Sequence, residues 1–305
     1  MLGKRLSKGD TIGIVAPASF GDREKLEIAK ENLEKFGYKV KLGKCTQNSY
    51  FSYSDTDYNR AMEINDLFKD REVDAIICMR GGYGSNKILE YIDFDIIKEN
   101  PKIFVGYSDI TTLHTCFIRK AGLITFHGPM AISNFSPEYN EDTYQNFINV
   151  VGGNFDGNIR NFEKELVSMN DKKAKGILVG GNLTTIIATL GTEYDVDYSG
   201  KILFLEDIGE TTYKIDRFLN VLKKHGIFKK ISGLILGEFT SCPKSDENDM
   251  SLEEVFNDYF KNLDIPILMN LESGHEEPML TLPLGATVAI DGEKKTVQVL
   301  EKVVD

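Results

Sequence analysis

The chain has 305 residues, of which 41% are hydrophobic, 27% charged and 10% aromatic, and this balance excludes fibrous and intrinsically disordered proteins. It carries 36 Lys and Arg against 47 Asp and Glu, and the net charge of −11 makes nucleic acid a poor partner. No apolar run approaches the about 18 to 20 residues of a membrane-spanning helix, and residues 1–10 lack the apolar core of a secretory signal. We therefore expect a cytoplasmic protein of about two domains that does not contact a membrane.

The first half of the chain alternates short apolar runs with helical spacing, which is typical of β-α-β units around a mostly parallel sheet. Apolar runs predict strands at residues 11–16, 38–42, 74–79 and 103–106. Apolar residues at helical spacing predict helices at residues 22–36, 58–69 and 109–120. Residues 152–175 are rich in Gly and Asn and show little periodicity, so they interrupt the pattern.

Beyond this interruption the same signals return, and the chain finishes on a β-rich segment. Strands are predicted at residues 175–180, 201–206 and 233–239, helices at 183–190 and 213–224, and a hairpin around Asp291 and Gly292. We therefore predict an α/β protein whose N-terminal domain, residues 1–155, contains a mostly parallel sheet. A linker at 156–175 precedes a C-terminal α+β domain at 176–305 with a β-rich end.

The segment IFVGYSDITTL places Ser108 between an apolar strand and a predicted helix. A serine at such a turn exposes its hydroxyl at the carboxyl edge of the sheet, and the N–H of the next residue, Asp109, can face an oxyanion. Ile110 stands where the second glycine of a G-x-S-x-G elbow would be. Two interpretations are therefore open, a nucleophile or a residue that caps the helix.

A nucleophilic serine needs a base, and the chain has four histidines. His114 and His225 fall within or at the end of predicted helices, where packing or capping explains them. His127 follows a predicted strand and either packs in the core or lines a cleft. His275 lies in the polar segment ESGHEEP, which has no apolar period, so it is the strongest candidate for a catalytic or ligand-binding role.

Glu206 and Asp207 follow a strongly apolar predicted strand, where a carboxylate can orient an imidazole at the functional edge of the sheet. A helix cap or a surface pair is the alternative interpretation. Together with His275 these acids could hold a metal, but their spacing matches no ligand motif such as H-E-x-x-H. We therefore predict no metal.

Two glycine-rich segments follow predicted strands. RGGYG at 80–84 could supply backbone N–H donors to a ligand, but it matches neither the Walker loop nor the G-x-G-x-x-G pattern, so it predicts no nucleotide cofactor. A tight turn explains it equally well. GGNL at 180–183 is also compatible with a strand-to-helix turn in which Asn182 is the N-cap.

Taken together, these segments resemble the LD-carboxypeptidase family of serine peptidases, whose relatives include the microcin self-immunity proteins. The segments that carry the resemblance follow the family's order along nearly the whole chain: RGGYG at 80–84, GYSD at 106–109, ITFHGPM at 124–130, GGNL at 180–183, FLED at 204–207 and GHEEPMLTLPLGA at 274–286. The resemblance implies a triad in which Ser108 is the nucleophile, His275 the general base and acid, and Glu206 the orienting carboxylate.

The resemblance also implies an oxyanion hole made by backbone N–H groups of Asp109 and of the glycine loop, assigned here to Gly82 with Gly81 as the alternative. Arg80 beside this loop is a candidate for binding the carboxylate of the leaving residue. Gly81 and Asn182 are further candidate substrate contacts. No cofactor is implied.

The family's activity implies a cytoplasmic homodimer that hydrolyses the L,D peptide bond of murein tetrapeptides, releasing the terminal D-alanine during cell-wall recycling. Two alternatives are open. One is the microcin-immunity activity, in which the same triad cleaves peptidyl- or aminoacyl-nucleotide amides. The other is a non-catalytic protein that binds a small ligand in its α/β cleft.

Overall fold

The computed structural model describes residues 1–305, whose strands form two sheets. In chain order the strands are β1 Thr11–Val15, β2 Lys39–Leu42, β3 Ala75–Cys78, β4 Ile103–Gly106, β5 Thr125–His127, β6 Asn158–Ile159, β7 Val167–Ser168, β8 Lys173–Asn182, β9 Ile202–Ile208, β10 Gly233–Thr240, β11 Ile267–Met269, β12 Leu282–Leu284, β13 Thr287–Asp291 and β14 Thr296–Val299. The α-helices are α1 Arg23–Lys35, α2 Asp57–Lys69, α3 Phe94–Glu99, α4 Thr111–Ala121, α5 Ala131–Asn134, α6 Glu141–Val151, α7 Leu183–Thr189, α8 Thr212–Lys224 and α9 Leu252–Phe260. The α/β class predicted from the sequence is confirmed.

The first sheet has six strands in the order β12-β5-β4-β3-β1-β2. The strands β1 to β5 pair in parallel, and β12 is antiparallel to β5. Strands β3 and β4 are buried along their whole length, as expected for a parallel sheet covered on both faces. Because the carboxyl ends of β1, β3 and β4 meet at one edge, the loops that follow these strands lie together there.

The second sheet has eight strands in the order β6-β14-β13-β8-β9-β10-β11-β7. Its centre, β8 to β11, is parallel, and antiparallel strands flank it on both sides. The predicted C-terminal hairpin is present as β13 and β14. Strand β9 is buried from Ile202 through Asp207, so the two acids at its end lie inside the protein.

The two halves of the chain share strands. Strand β12 belongs to the C-terminal half but completes the first sheet by pairing with β5, Leu282 lying opposite His127. The segment predicted as a linker contains β6 and β7, which form the two outer edges of the second sheet. The largest buried apolar cluster contains residues of both sheets, such as Val105 and Phe204, so one core joins them. None of the helices is long and apolar enough to cross a membrane.

Candidate active site

Ser108 lies in the turn between β4 and α4 and has a left-handed backbone, with φ of 64°. A non-glycine residue in this region is strained, and such strain is characteristic of a nucleophile elbow. The Ser108 hydroxyl makes no hydrogen bond within the protein and caps no helix. Gly106 is the first glycine of the G-x-S-x-G pattern, and Ile110 replaces the second. A Cβ on Gly106 would lie 2.9 Å from Cγ2 of Ile110, so the bulk of Ile110 favours glycine at position 106.

Glu206 and His275 are in contact. Nδ1 of His275 donates to Oε2 of Glu206 at 2.7 Å, which leaves Nε2 available for a second partner. The Glu206 side chain is fully buried and that of His275 is 10% exposed. Burial raises the pKa of Glu206, and the hydrogen bond to His275 opposes that rise. The rings of Tyr107 and His275 are 4.9 Å apart, which places the imidazole beside the residue that precedes Ser108.

The glycine loop after β3 packs against the serine turn. A Cβ on Gly81 would lie 2.9 Å from Cβ of Ser108 and 3.4 Å from the backbone nitrogen of Asp109. Gly82 has φ of 114° and faces Ser19. The backbone N–H groups of Gly81 and Gly82 donate to no acceptor in the protein. Two glycine N–H groups beside the serine turn are thus available to stabilise an oxyanion.

Asp109 connects the serine turn to the end of the glycine loop. Its carboxylate accepts a hydrogen bond from the backbone N–H of Ser85 at 2.8 Å, and its carbonyl accepts one from Oγ of Ser85 at 2.5 Å. Burial raises the pKa of Asp109, while the bonds from Ser85 oppose that rise. The side chain of Asp109 therefore holds the turn, and its backbone N–H remains the candidate oxyanion donor.

Asp207 has a different role from Glu206. Its carboxylate accepts from Nδ2 of Asn182 at 3.1 Å and from the backbone N–H of Thr184 at 2.9 Å, which stabilises the first turn of α7. Oδ1 of Asn182 accepts from the Thr185 N–H at 3.0 Å, so Asn182 is the predicted N-cap. Most of the hydrogen-bonding capacity of the Asn182 amide is used within the protein.

The remaining predicted residues differ in what they contact. Arg80 is half-buried and forms neither an ion pair nor a side-chain hydrogen bond within the protein.

His114 is fully buried, donates from Nε2 to the Gly106 carbonyl at 2.8 Å, and has its pKa lowered to about 4 by burial. His127 is also fully buried, and burial lowers its pKa well below the usual value. His225 is exposed at the end of α8, so His275 is the histidine paired with a carboxylate.

The loop that carries His275 is held by charged residues that were not predicted from the sequence as part of the site. The buried carboxylate of Glu272 accepts backbone N–H groups of residues 162–164, including that of Lys164 at 3.0 Å. The ammonium of Lys164 in turn lies 2.6 Å from Glu238 and 3.0 Å from Glu276. These partners come from distant parts of the chain, so no local pattern in the sequence could have identified them.

The chain matches two family models, the LD-carboxypeptidase N-terminal domain at residues 12–128 and the LD-carboxypeptidase C-terminal domain at residues 175–290. It is 39% identical over 298 residues to a Bacillus subtilis (strain 168) protein named probable murein peptide carboxypeptidase, covering 96% of this chain and 92% of that protein.

Solved structures agree with this assignment. The structure of MccF in complex with glutamyl sulfamoyl guanosine superimposes with a TM-score of 0.92 at 30% identity, covering 100% of this chain and 99% of that one. The muramoyltetrapeptide carboxypeptidase of Oxalobacter formigenes gives a TM-score of 0.82 at 28% identity, covering 95% and 97%. The chain therefore belongs to the LD-carboxypeptidase family, and it is a serine-type hydrolase.

Proposed function

We propose that this protein is an LD-carboxypeptidase that removes the terminal D-alanine from murein tetrapeptides, and that it acts in the cytoplasm as a homodimer. The observation that carries the proposal is the 2.7 Å bond between His275 and Glu206, together with the strained turn that presents Ser108. A buried carboxylate bound to Nδ1 fixes the tautomer in which Nε2 can accept a proton.

In the first half of the proposed reaction, Oγ of Ser108 attacks the carbonyl carbon of the L-configured centre of the third residue. His275 takes the hydroxyl proton on Nε2, and Glu206 stabilises the imidazolium that forms. The carbonyl oxygen becomes an oxyanion that the N–H groups of Asp109 and of the glycine loop can stabilise. Collapse of this intermediate breaks the peptide bond, and His275 returns the proton to the amine of the leaving D-alanine.

In the second half, water hydrolyses the acyl-enzyme. His275 removes a proton from the water, whose oxygen attacks the ester carbonyl and forms a second oxyanion in the same hole. The bond to Oγ of Ser108 then breaks, and the serine recovers its proton from His275. The products are a tripeptide and free D-alanine, and no redox step or cofactor enters the balance.

Arg80 supplies a contact that an exopeptidase needs. The leaving residue carries a free carboxylate, and Arg80 is a half-buried cation without an acidic partner in the protein, next to the glycine loop. We expect Arg80→Met to raise KM strongly with a smaller change in kcat. Arg119→Met, at an exposed position on α4, is the matched control and should leave both constants unchanged. An unchanged KM for Arg80→Met would remove this assignment.

The activity is tested by mass spectrometry of a murein tetrapeptide incubated with the purified protein. The wild type should release one alanine, whereas Ser108→Ala and His275→Ala should each lose at least about 10⁴-fold in kcat. The exposed residues Ser199 and His225 give matched controls, Ser199→Ala and His225→Ala, which should retain wild-type rates. An intact tetrapeptide with wild-type protein would exclude the proposed substrate.

The microcin-immunity activity is the second candidate, and the likeness to MccF favours it. The same triad could cleave an amide between an aminoacyl group and a nucleotide analogue. Incubation with an aminoacyl sulfamoyl nucleoside, beside the tetrapeptide, separates the two activities by kcat/KM. A higher value for the nucleoside would make the tetrapeptide the secondary substrate.

A further inference from the structure

We propose that Arg60 is a positioning residue for the oxyanion loop, defined here as residues 80–84. Its guanidinium fixes the backbone that presents the N–H groups of Gly81 and Gly82. The inference rests on the proposed function, because it takes Ser108 as the nucleophile. Arg60 lies on α2, outside every segment that carries the family resemblance.

Arg60 is a fully buried cation that joins three loops. Its Nη1 donates to the carbonyl of Gly84 at 3.0 Å and also to that of Pro17. Its Nε donates to the carbonyl of Asp55 at 3.1 Å. These acceptors belong to the oxyanion loop, the loop after β1 and the segment before α2. Because a buried guanidinium is costly unless its donors are satisfied, it favours one arrangement of all three loops.

The charge of Arg60 is partly offset by a carboxylate and an aromatic ring. Its Nη2 lies 2.5 Å from Oδ1 of Asp57, and Lys87 lies 3.2 Å from the other oxygen of that carboxylate. The ring of Tyr53 also covers the guanidinium, with its centroid 5.0 Å from Cζ. Arg60 shares the single carboxylate of Asp57 with a second cation, so its charge is only partly offset, and it helps to lower the pKa of Asp109 against the effect of burial. Its direct hydrogen bonds to three loops are what fix the backbone geometry.

The oxyanion loop needs such an anchor because glycines dominate it. Gly82 and Gly84 have φ of 114° and 119°, and neither has a side chain that could hold the backbone in place. The N–H of Tyr83 donates to Oγ of Ser19 at 3.2 Å, and Ser19 lies in the same loop after β1 that the guanidinium holds. The loop is thus tethered both directly at Gly84 and indirectly through Ser19.

A shift of this loop reaches the nucleophile directly. The position of a Cβ on Gly81 lies 3.1 Å from Oγ of Ser108, so the two backbones are in close contact. Misplacing a catalytic group by about 1 Å can cost about 10²-fold in rate. Loss of the anchor should therefore weaken oxyanion stabilisation, which appears in kcat, and it should also raise KM, because Arg80 is part of the loop that moves.

The test compares Arg60→Met and Arg60→Lys with a stability control, Leu219→Ala, which removes a fully buried side chain of α8 under the second sheet. Each protein is assayed below its unfolding transition for kcat, KM and the pH profile on the tetrapeptide. The rate at which a fluorophosphonate labels Ser108 is also measured, because this reaction uses the same oxyanion donors without the peptide substrate.

We expect Arg60→Met to lower kcat and the labelling rate by about 10²-fold and to raise KM, since Arg80 moves with the loop, while the pH profile stays unchanged. Arg60→Lys should fall between Met and wild type, since an ammonium cannot reproduce the planar fork. Leu219→Ala should lose stability but keep both rates. Rates for Arg60→Met equal to those of the stability control, or a rise in KM at constant kcat, would overturn the inference.

If Arg60→Met does not fold, Ser19→Ala provides the second test, because it removes only the bond to the Tyr83 N–H. It should lower the labelling rate by about 10-fold, and wild-type rates for both Ser19→Ala and Arg60→Lys would overturn the inference. A wild type that labels but leaves the tetrapeptide intact would exclude the proposed substrate and not the role of Arg60. A wild type inert in both assays would overturn both.

Discussion

The two parts of the candidate active site are held in place by different forces. Around Ser108, close contacts and hydrogen bonds to backbone groups determine the structure, as in the contact of Gly81, the bonds between Asp109 and Ser85, and the carbonyl groups bound by Arg60. Around His275, charges do so, with Lys164 between two carboxylates and Glu272 bound to three backbone N–H groups.

The difference follows from what each part must do. A nucleophile and its oxyanion donors depend on distances that vary little, which close steric contact enforces. A base that becomes a cation in the transition state depends on a carboxylate, and the loop that carries it has acidic neighbours that need their own counter-charges. The serine part should therefore be sensitive to added volume, and the histidine part to changes in charge.

Removing the charge of Glu206 has the largest expected effect of the variants that test this difference. Glu206→Gln should lower kcat by about 10³ to 10⁴-fold, because the imidazolium of His275 loses its partner and its preferred tautomer. The matched control is Asp207→Asn, the adjacent acid, which should lower the unfolding midpoint more than it lowers kcat because it faces Asn182 and Thr184. Equal kcat losses in the two variants would contradict the assignment.

Adding volume beside Ser108 should have the next largest effect. In Gly81→Ala the new methyl group would lie 2.9 Å from Cβ of Ser108, so one of the two backbones must move. We expect a loss of about 10²-fold in kcat, measured with the tetrapeptide. Gly122→Ala is the control, since a Cβ there meets nothing within 4 Å and only backbone strain is added. A Gly81→Ala variant with wild-type kcat would show that the loop tolerates displacement.

Removing the positive charge of Lys164, near the loop that carries His275, should have a smaller effect. Lys164→Met leaves Glu238 and Glu276 without their shared partner, so we expect a loss of about 10-fold in kcat as the loop relaxes. Because these pairs are partly exposed, salt should lower the wild-type rate in the same direction. Lys173→Met is the matched control, since Lys173 also bridges two carboxylates but lies at the start of β8, beside the C-terminal hairpin. Equal rates for the two variants would refute the role of this cluster.

The smallest effect concerns His114, the titratable group below the serine turn. Its pKa is about 4 in the folded protein against an ordinary 6.5, so the unfolded chain binds a proton at higher pH than the native state does. Stability from this group is therefore complete above pH 6.5 and is lost as pH falls towards 4, by at most about 3 kcal/mol. Urea unfolding of wild type and His114→Gln at pH 7 and 4.5 should show the smaller pH dependence in the variant. Identical dependence would exclude His114 as the cause.

Much of the fold could be predicted because its signals are local. The strand at 103–106 and the helix at 58–69 were predicted to within a residue of their ends. Apolar runs and helical spacing are local features of the sequence, so they indicate these elements whatever the tertiary fold. The place of β12 could not be predicted, because three residues after a loop contain no information about which sheet they will join. The division at 156–175 stays a prediction, although edge strands of the second sheet arise from that segment.

The candidate site shows the same limit. Arg60 follows the helical spacing of Ile64 and so lies on the buried face of α2, a charged residue on an apolar stripe, but its partners are carbonyl groups that no sequence pattern marks. Lys164 lacked any local signal, because its partners are 74 and 112 residues away. Residue types alone supplied the candidate serine, histidines and carboxylates with other interpretations open, and the ordered motifs implied the roles.

Local patterns in the chain were enough to predict the α/β class, most element boundaries and the group of residues from which a serine, a histidine and a carboxylate could be chosen. The ordered motifs implied Glu206 rather than Asp207 as the partner of His275, and the tertiary structure shows that contact. Consecutive residues of a strand face opposite sides of the sheet, so one of the two acids had to face each way. Which side faces the histidine depends on where the loop after β11 lies relative to β9, and the packing of the whole second sheet sets that position.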